Sequence, residues 1–286
     1  IILITMRLKN KNIVLTGASG GIGKHIAHYC DIEGANLFLI SRSNDQLNDL
    51  LLSLNNINNK SAYFVIDISD EEAVIDTVKK IDILCEGQIH VLINNAGVQS
   101  PIGKFSTNSL NDWKENVNIN LFGTINMIHA VLPSMIDRQD GRIINLSGGG
   151  STGPRVNFTA YGVAKTAIVR FTETLALELI SNNIYVNAVA PGAINTKMLD
   201  EIIASKEKAG KELLDAKVRK NNGGDDPKHV AELIVFLASE ESSGISGKLI
   251  SSIWDSWQEK KFQELLLNNK DLATLRRIDN KYFKNN

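Results

Sequence analysis

The sequence predicts an α/β fold: a doubly wound, mostly parallel sheet of seven strands with helices on both faces. Three observations carry that expectation. From Asn12 onward, short β-rich runs alternate with helix-length segments, the pattern of successive β-α-β units. Several runs, such as NLFLI at 36–40, are apolar almost throughout, as strands covered on both sides must be. No repeat period or low-complexity linker divides the chain, so residues 8–250 read as one domain, and 251–286 as a helical C-terminal extension.

The composition excludes several classes of function. With 43% apolar and 22% charged residues in 286, the chain is an ordinary globular one. A formal net charge of −1 gives no reason to expect a nucleic-acid partner. Cys30 and Cys85 lack metal-ligand spacing and form no disulfide framework; they read as small hydrophobes, and no metal site is expected. No apolar run approaches the length of a bilayer span, and IILITM is too short for a signal segment. The expectation is a cytoplasmic protein whose natural start is Met6, with no membrane partner.

The first strand, Ile13–Thr16, runs into TGASGGIG and then a helix over 24–34. Gly17, Gly21 and Gly23 permit a tight turn and bring backbone N–H groups close to a phosphate at the helix N-terminus. Between a first strand and its helix, that is the pyrophosphate site of a Rossmann-type dinucleotide fold. The second strand, Asn36–Ile40, is followed by Ser41 and Arg42. A carboxylate at this place serves the ribose hydroxyls of NAD, whereas an arginine accommodates a 2′-phosphate. NADP(H) is therefore expected in preference to NAD(H), with Arg42 paired to the phosphate and Ser41 donating a hydrogen bond.

Asp67 follows the third strand, Ala62–Ile66, and the fourth, Val91–Asn94, runs into Asn95, Ala96 and Gly97, small enough to pass close to a flat ligand. A helix over Asp112–Ile136 carries Asn118 and Asn120 among apolar neighbours. An inward asparagine is either a satisfied core amide or a group that holds a water. The fifth strand, Arg142–Leu146, opens into the loop SGGGSTGPRVN, followed by a helix bearing Tyr161 and Lys165. Residues four apart share a helical face. An ammonium beside a phenol favours the phenolate and lowers its pKa from about 10, which makes Tyr161 a candidate acid/base. After the sixth strand, Ile184–Val189, come Pro191, Gly192 and Thr196, in a loop outside the carboxyl end of the sheet where ligands sit. Lys248–Ser251 is the seventh strand. Trp254 and Trp257 follow it, either packed on the core or offering flat faces to a sugar ring or a neighbouring subunit.

Taken together, TGASGGIG, Asp67, NNAG, Asn120, Tyr161-x-x-x-Lys165 and PGAINT resemble the short-chain dehydrogenase/reductase family in its compact branch, over roughly residues 8–250. The resemblance implies hydride transfer between a nicotinamide and a carbinol or carbonyl carbon of a small-molecule substrate. It implies that Tyr161 passes the proton, that Lys165 holds the nicotinamide ribose, and that Asn120 anchors a water. It assigns Gly17, Ser19, Gly21, Ile22 and Gly23 to the pyrophosphate and Asp67 and Ile68 to the adenine. Asn94, Ala96 and Gly97 go to the ribose side and Thr196 to the carboxamide. It implies a homodimer or homotetramer, and a substrate lid over Met198–Asn222 with hinges at Gly210 and Gly223-Gly224.

One departure stands out. The family's substrate-polarising serine lies thirteen positions before the tyrosine, and here that position is Gly148. Ser147 or Ser151 is then expected to supply the hydrogen bond. The expected function is an NADP(H)-dependent oxidoreductase of a secondary alcohol or ketone, with a sugar-like substrate suggested by the two tryptophans and the polar loop SGGGSTGPRVN. Its alternatives are a cofactor-binding sensor with little turnover, or an epimerase or dehydratase that uses a transient oxidation.

Overall fold

The computed structural model describes residues 6–55 and 60–278. Its strands are β1 (Asn12–Thr16), β2 (Asn36–Ser41), β3 (Ala62–Val65), β4 (Val91–Asn94), β5 (Gly141–Leu146), β6 (Ile184–Ala190) and β7 (Leu249–Ser251). All neighbours are parallel, in the order β3-β2-β1-β4-β5-β6-β7. This is the Rossmann-type doubly wound sheet the sequence predicts. Strand ends differ from the expected ones by a residue where ladder pairing reaches further or stops sooner: Ser41 pairs with Val65 and so extends β2.

The helices on the two faces are α1 (Gly21–Ile32), α2 (Asn44–Leu52), α3 (Glu71–Leu84), α4 (Leu110–Val117), α5 (Gly123–Arg138), α6 (Thr159–Leu179) and α9 (Pro227–Ala238). Between the last two come α7 (Lys197–Ala204) and α8 (Glu212–Asn222), and α10 (Lys260–Asn268) follows β7. Alternation along each strand sorts the core into two layers. Ile13, Leu15, Leu37 and Leu39 join α1, α2 and α9, while Val14, Phe38 and Ile40 join α3, α5 and α6. Successive strand side chains point to opposite faces, so a strand apolar at every position must be covered twice.

The single helix expected over Asp112–Ile136 is instead α4, a π-helical turn at Asn118–Phe122, and α5. Read through without a break, Leu110–Arg138 is long and apolar enough to cross a membrane by length and composition, which the sequence reading did not assign to any run. In this fold 44% of that window is buried, with Met127, Ile128, Val131 and Met135 under the sheet.

The C-terminal segment packs onto the sheet edge as far as it is described. Lys248 Nζ donates to Asn269 O (2.6 Å) and Leu272 O (3.0 Å), and Leu249 N donates to Ala273 O (2.7 Å). Trp257 is buried, its ring 5.6 Å from that of Phe236, whereas Trp254 is 82% exposed. The expected extension beyond 278, and the first five residues, lie outside the described residues.

Candidate active site

The strand order places β1 and β4 side by side, with the chain winding away from them in opposite directions. A crevice opens outside their carboxyl ends, where open α/β sheets bind ligands. Thr16 ties its two lips together: its Oγ1 accepts from Asn95 N and Ala96 N, both at 3.1 Å. Asn95 returns the contact, donating from Nδ2 to Thr16 O and Gly17 O.

A cavity of about 820 Å³ fills this crevice. At its phosphate end the backbone of Gly17, at φ +62°, passes so close to the loop after β4 that a Cβ there would lie 2.7 Å from Ala96 Cα. A Cβ on Gly21 would strike Thr196 Cγ2 at 2.8 Å. Ser19, Ile22, Pro191, Gly192 and Thr196 line the same region. Gly23 does not line it. Its Cβ would meet Gly17 O at 2.2 Å, so its smallness lets helix pack on turn and not ligand on turn.

At the other end Ser41, Arg42, Asp67 and Ile68 form the rim, together with Gln46, which sequence reasoning missed. Arg42 is largely exposed, and its Nη1 is 3.4 Å from Asp67 Oδ2. Burial pushes the Asp67 carboxyl up, but the Ser69 hydrogen bonds and the Arg42 charge outweigh it and hold the group below the usual carboxylate range. Ser41 Oγ accepts from Ser43 N at 3.2 Å. Asn94, expected on the ribose side, lies behind the wall: it is buried and donates to Asn145 Oδ1 at 3.0 Å. Its neighbour Asn95 faces the cavity with Ala96 and Gly97. The period-two alternation of β4 turns residue 94 away and leaves the next residue at the lip.

At the inner end, Tyr161 and Lys165 rise from α6 into the cavity wall, both almost fully buried. Lys165 Nζ donates to Leu146 O at 2.8 Å and stands 5.7 Å from the centre of the Tyr161 ring. A Cβ on Gly97 would come within 2.7 Å of Asn120 Oδ1 and 3.5 Å of Lys165 Nζ, so that glycine lets both side chains converge. The expected electrostatics are corrected here. Burial raises the Tyr161 pKa above 10, and the opposing pull comes from Arg155, while burial lowers Lys165 to about 8. Desolvation disfavours each charged form, and for the tyrosine it outweighs the pull of Arg155.

Asn120 sits in the π turn, fully buried, outside the cavity lining. Its Nδ2 donates to Val98 O, Asn116 O and Asn116 Oδ1, and its Oδ1 accepts from Val98 N. The side chain is that of a satisfied core amide, and the backbone carbonyl of Asn120 already accepts from Thr124 Oγ1. Of the two candidate serines, Ser147 lines the cavity and Ser151 does not. Ser147 Oγ is buried with no hydrogen-bond partner. Gly148 lies directly under the tyrosine: a Cβ there would be 2.2 Å from Tyr161 Oη.

Over this end lies the segment expected as a lid. α7 and α8 bury Leu199, Ile202 and Ala216 against Phe158 and Tyr161, with Gly210 at φ +61° and Gly223 at φ +86° bounding α8. Sequence reasoning missed Gln99, Arg155, Glu201, Glu212 and Arg219, all of which line the cavity. The asparagine four residues before Asn120 was a legible signal for the Asn116–Asn120 pair; Arg155 was visible only as one residue of a polar loop.

A dinucleotide cradle on one flank and a buried tyrosine and lysine on the other define a nicotinamide-dependent oxidoreductase site, and the cavity and its glycines fit such a cofactor. The chain belongs to the short-chain dehydrogenase/reductase family, whose model (short chain dehydrogenase) matches residues 11–207. It is 34% identical to the 3-oxoacyl-(acyl-carrier-protein) reductase FabG of Thermotoga maritima over 245 residues, 86% of this chain and 97% of that one. It is 37% identical to the oxidoreductase UcpA of Salmonella typhimurium over 247 residues, 84% of this chain and 92% of the relative. Among solved structures, NAD+-bound xylitol dehydrogenase superposes with a TM-score of 0.79 at 29% identity, covering 86% of this chain and 98% of that one. An actinorhodin polyketide ketoreductase with NADPH gives 0.76 at 25%, covering 85% and 95%. The chain is thus an NAD(P)-dependent short-chain dehydrogenase/reductase acting on a small molecule.

Proposed function

We propose that the protein moves a hydride between NADP(H) and a secondary alcohol or ketone, with Tyr161 as the acid/base. The observation that carries this reading is the Tyr161 hydroxyl, buried at the inner end of the cavity beside Lys165 and over the glycine loop. The cofactor would rest on Gly17, Ser19, Gly21 and Ile22, with Thr196 near its reactive end and Ser41 and Arg42 at its 2′-phosphate; when bound, it supplies the hydride chemistry. Tyr161 gives a proton to the substrate oxygen, or takes one from it, at Oη. Ser147 Oγ, unpartnered in the wall, donates to the same oxygen in the role that Gly148 does not fill. α7 and α8 exclude water above the pair.

The preference for NADP(H) rests on Arg42 at the rim, where no carboxylate follows β2 directly. The tryptophans that suggested a sugar-like substrate do not line the cavity, so support for a polar substrate now comes from Ser147, Arg155, Glu201 and Glu212 in its wall. Exposed Leu110, Phe122, Leu177 and Ile180 on and around α4–α6 support a homodimer or homotetramer through that face. Gly148 favours one other reading, a cofactor-binding sensor with little turnover. Titration with NADPH and NADH, followed by a panel of carbonyls and polyols, separates the two. Tight NADPH binding with turnover supports the enzyme, and tight binding with none across the panel supports the sensor.

A further inference from the structure

The ring of Tyr161 is flanked by two cations at the same distance. Lys165 Nζ and the guanidinium carbon of Arg155 each stand 5.7 Å from its centre. The two differ in what holds them. Lys165 comes from the same helix as the tyrosine and donates to the end of β5. Arg155 comes from the loop after β5, stacks on Phe158 at 3.8 Å, and arches over the glycine run that replaces the family serine. There its Cδ, Nε and Nη1 lie 3.7, 3.8 and 3.9 Å from where a Cβ on Gly149 would be. Its fork is gripped from above by the first residue of α8: Nε donates to Glu212 Oε1 at 2.6 Å and Nη2 to Oε2 at 2.5 Å. This bidentate pair is largely shielded from solvent, with side-chain exposures of 16% and 28%.

Resting on the reading of Tyr161 as the acid/base, we propose that Arg155 is a positioning residue for the reaction, a fixed cation that favours the ionised tyrosine, steered into place by Glu212 of the lid helix. The chemistry of the two cations explains why a second is needed. Burial draws the Lys165 ammonium down to about 8, so its charge is lost in the alkaline range where a phenol ionises. A guanidinium does not deprotonate in a protein, so Arg155 keeps its charge throughout. The charged groups at the Tyr161 ring are then Lys165 from α6 and Arg155 from the loop, with Glu212 of α8 paired to Arg155; Lys197 and Glu201 of α7 and Arg219 of α8 line the same cavity. Glu212 acts twice. It aims the guanidinium, and its own negative charge offsets part of the field that Arg155 casts on Tyr161. Because Glu212 belongs to the lid, the acid/base strength of Tyr161 is coupled to lid closure.

Opposite signs test this. Phenolate absorbance is titrated in the full chain, and each variant is compared with the same variant carrying Tyr161→Phe, so that the difference reports Tyr161 alone. Arg155→Met is expected to move the Tyr161 midpoint up by about one pH unit, or out of the accessible range. Glu212→Gln, which keeps hydrogen-bonding atoms and removes the charge, is expected to move it down. Arg155→Lys, whose ammonium is lost in the alkaline range where the phenol titrates, is expected to move it up as well, by no more than Arg155→Met does. If Arg155→Met does not fold, the Glu212→Gln and Arg155→Lys titrations decide. Shifts of the same sign, or none in Glu212→Gln, overturn the proposal. Turnover on the carbonyl panel is scored separately: opposite shifts in a protein that never consumes NADPH would overturn the enzymatic reading and leave the electrostatic coupling standing.

Discussion

The hydroxyl of Tyr161 fills the space that a side chain at Gly148 would need, with only 2.2 Å between Oη and the site of a Cβ. The glycine and the tyrosine therefore form a matched pair, and the absent serine is a packing requirement of this site. Gly148→Ser is expected to lower turnover, not to restore a family feature, because the ring must shift from its place beside Lys165 and Arg155. Overpacking of this kind costs about 1–3 kcal/mol. Thermal denaturation and NADPH consumption check it, and a variant as stable as wild type with higher turnover would refute the pairing.

Ser147→Ala separates a catalytic hydroxyl from a structural one. The Oγ is buried and unpartnered, so its removal is expected to leave stability unchanged or slightly higher. Turnover is expected to fall on the order of a hundredfold, with NADPH affinity nearly unchanged. Undiminished turnover would remove Ser147 from the mechanism.

At the cofactor rim, Arg42→Ala should weaken NADPH binding by roughly 1.5–3 kcal/mol, or about ten- to a hundredfold, and NADH binding far less. Fluorescence titration with both nucleotides reads this. An equal loss for the two would leave Arg42 as the partner of Asp67 only.

His90 gives the fold a pH dependence away from the site. Its Nδ1 accepts from Asn12 N at 2.9 Å. Burial, helped by Lys11 and Arg138, draws its pKa from 6.5 down to about 4. The unfolded chain therefore binds this proton more readily than the folded one. Its contribution to stability is complete above about pH 6.5 and is lost as pH falls toward 4. Melting temperature should drop across that window, and His90→Asn, which keeps an acceptor without titrating, should drop less. Identical slopes would contradict the assignment.

Much of this was legible in the chain. Runs such as Leu37–Ile40 are apolar on both faces, which forces a two-sided sheet. The spacing of Gly17, Gly21 and Gly23 announces a cradle, and the Tyr161–Lys165 interval puts both groups on one helical face. What escaped depends on depth and on contacts across the chain. Burial reverses the expected effect on Tyr161, a matter of three-dimensional enclosure. Asn120 is saturated by Asn116 and Val98. Asn94 and Asn95 exchange roles because a strand end decides which of two neighbours faces the cleft. Glu212 meets Arg155 from 57 residues away, and no local pattern announces that pair.

The most direct test of the account compares wild type with Tyr161→Phe in NADPH binding and in NADPH consumption on the carbonyl panel. Lacking only the hydroxyl, the variant is expected to bind NADPH as wild type does and to lose turnover by at least about two orders of magnitude. A Tyr161→Phe protein that consumes NADPH at the wild-type rate would contradict the assignment of Tyr161 as the acid/base.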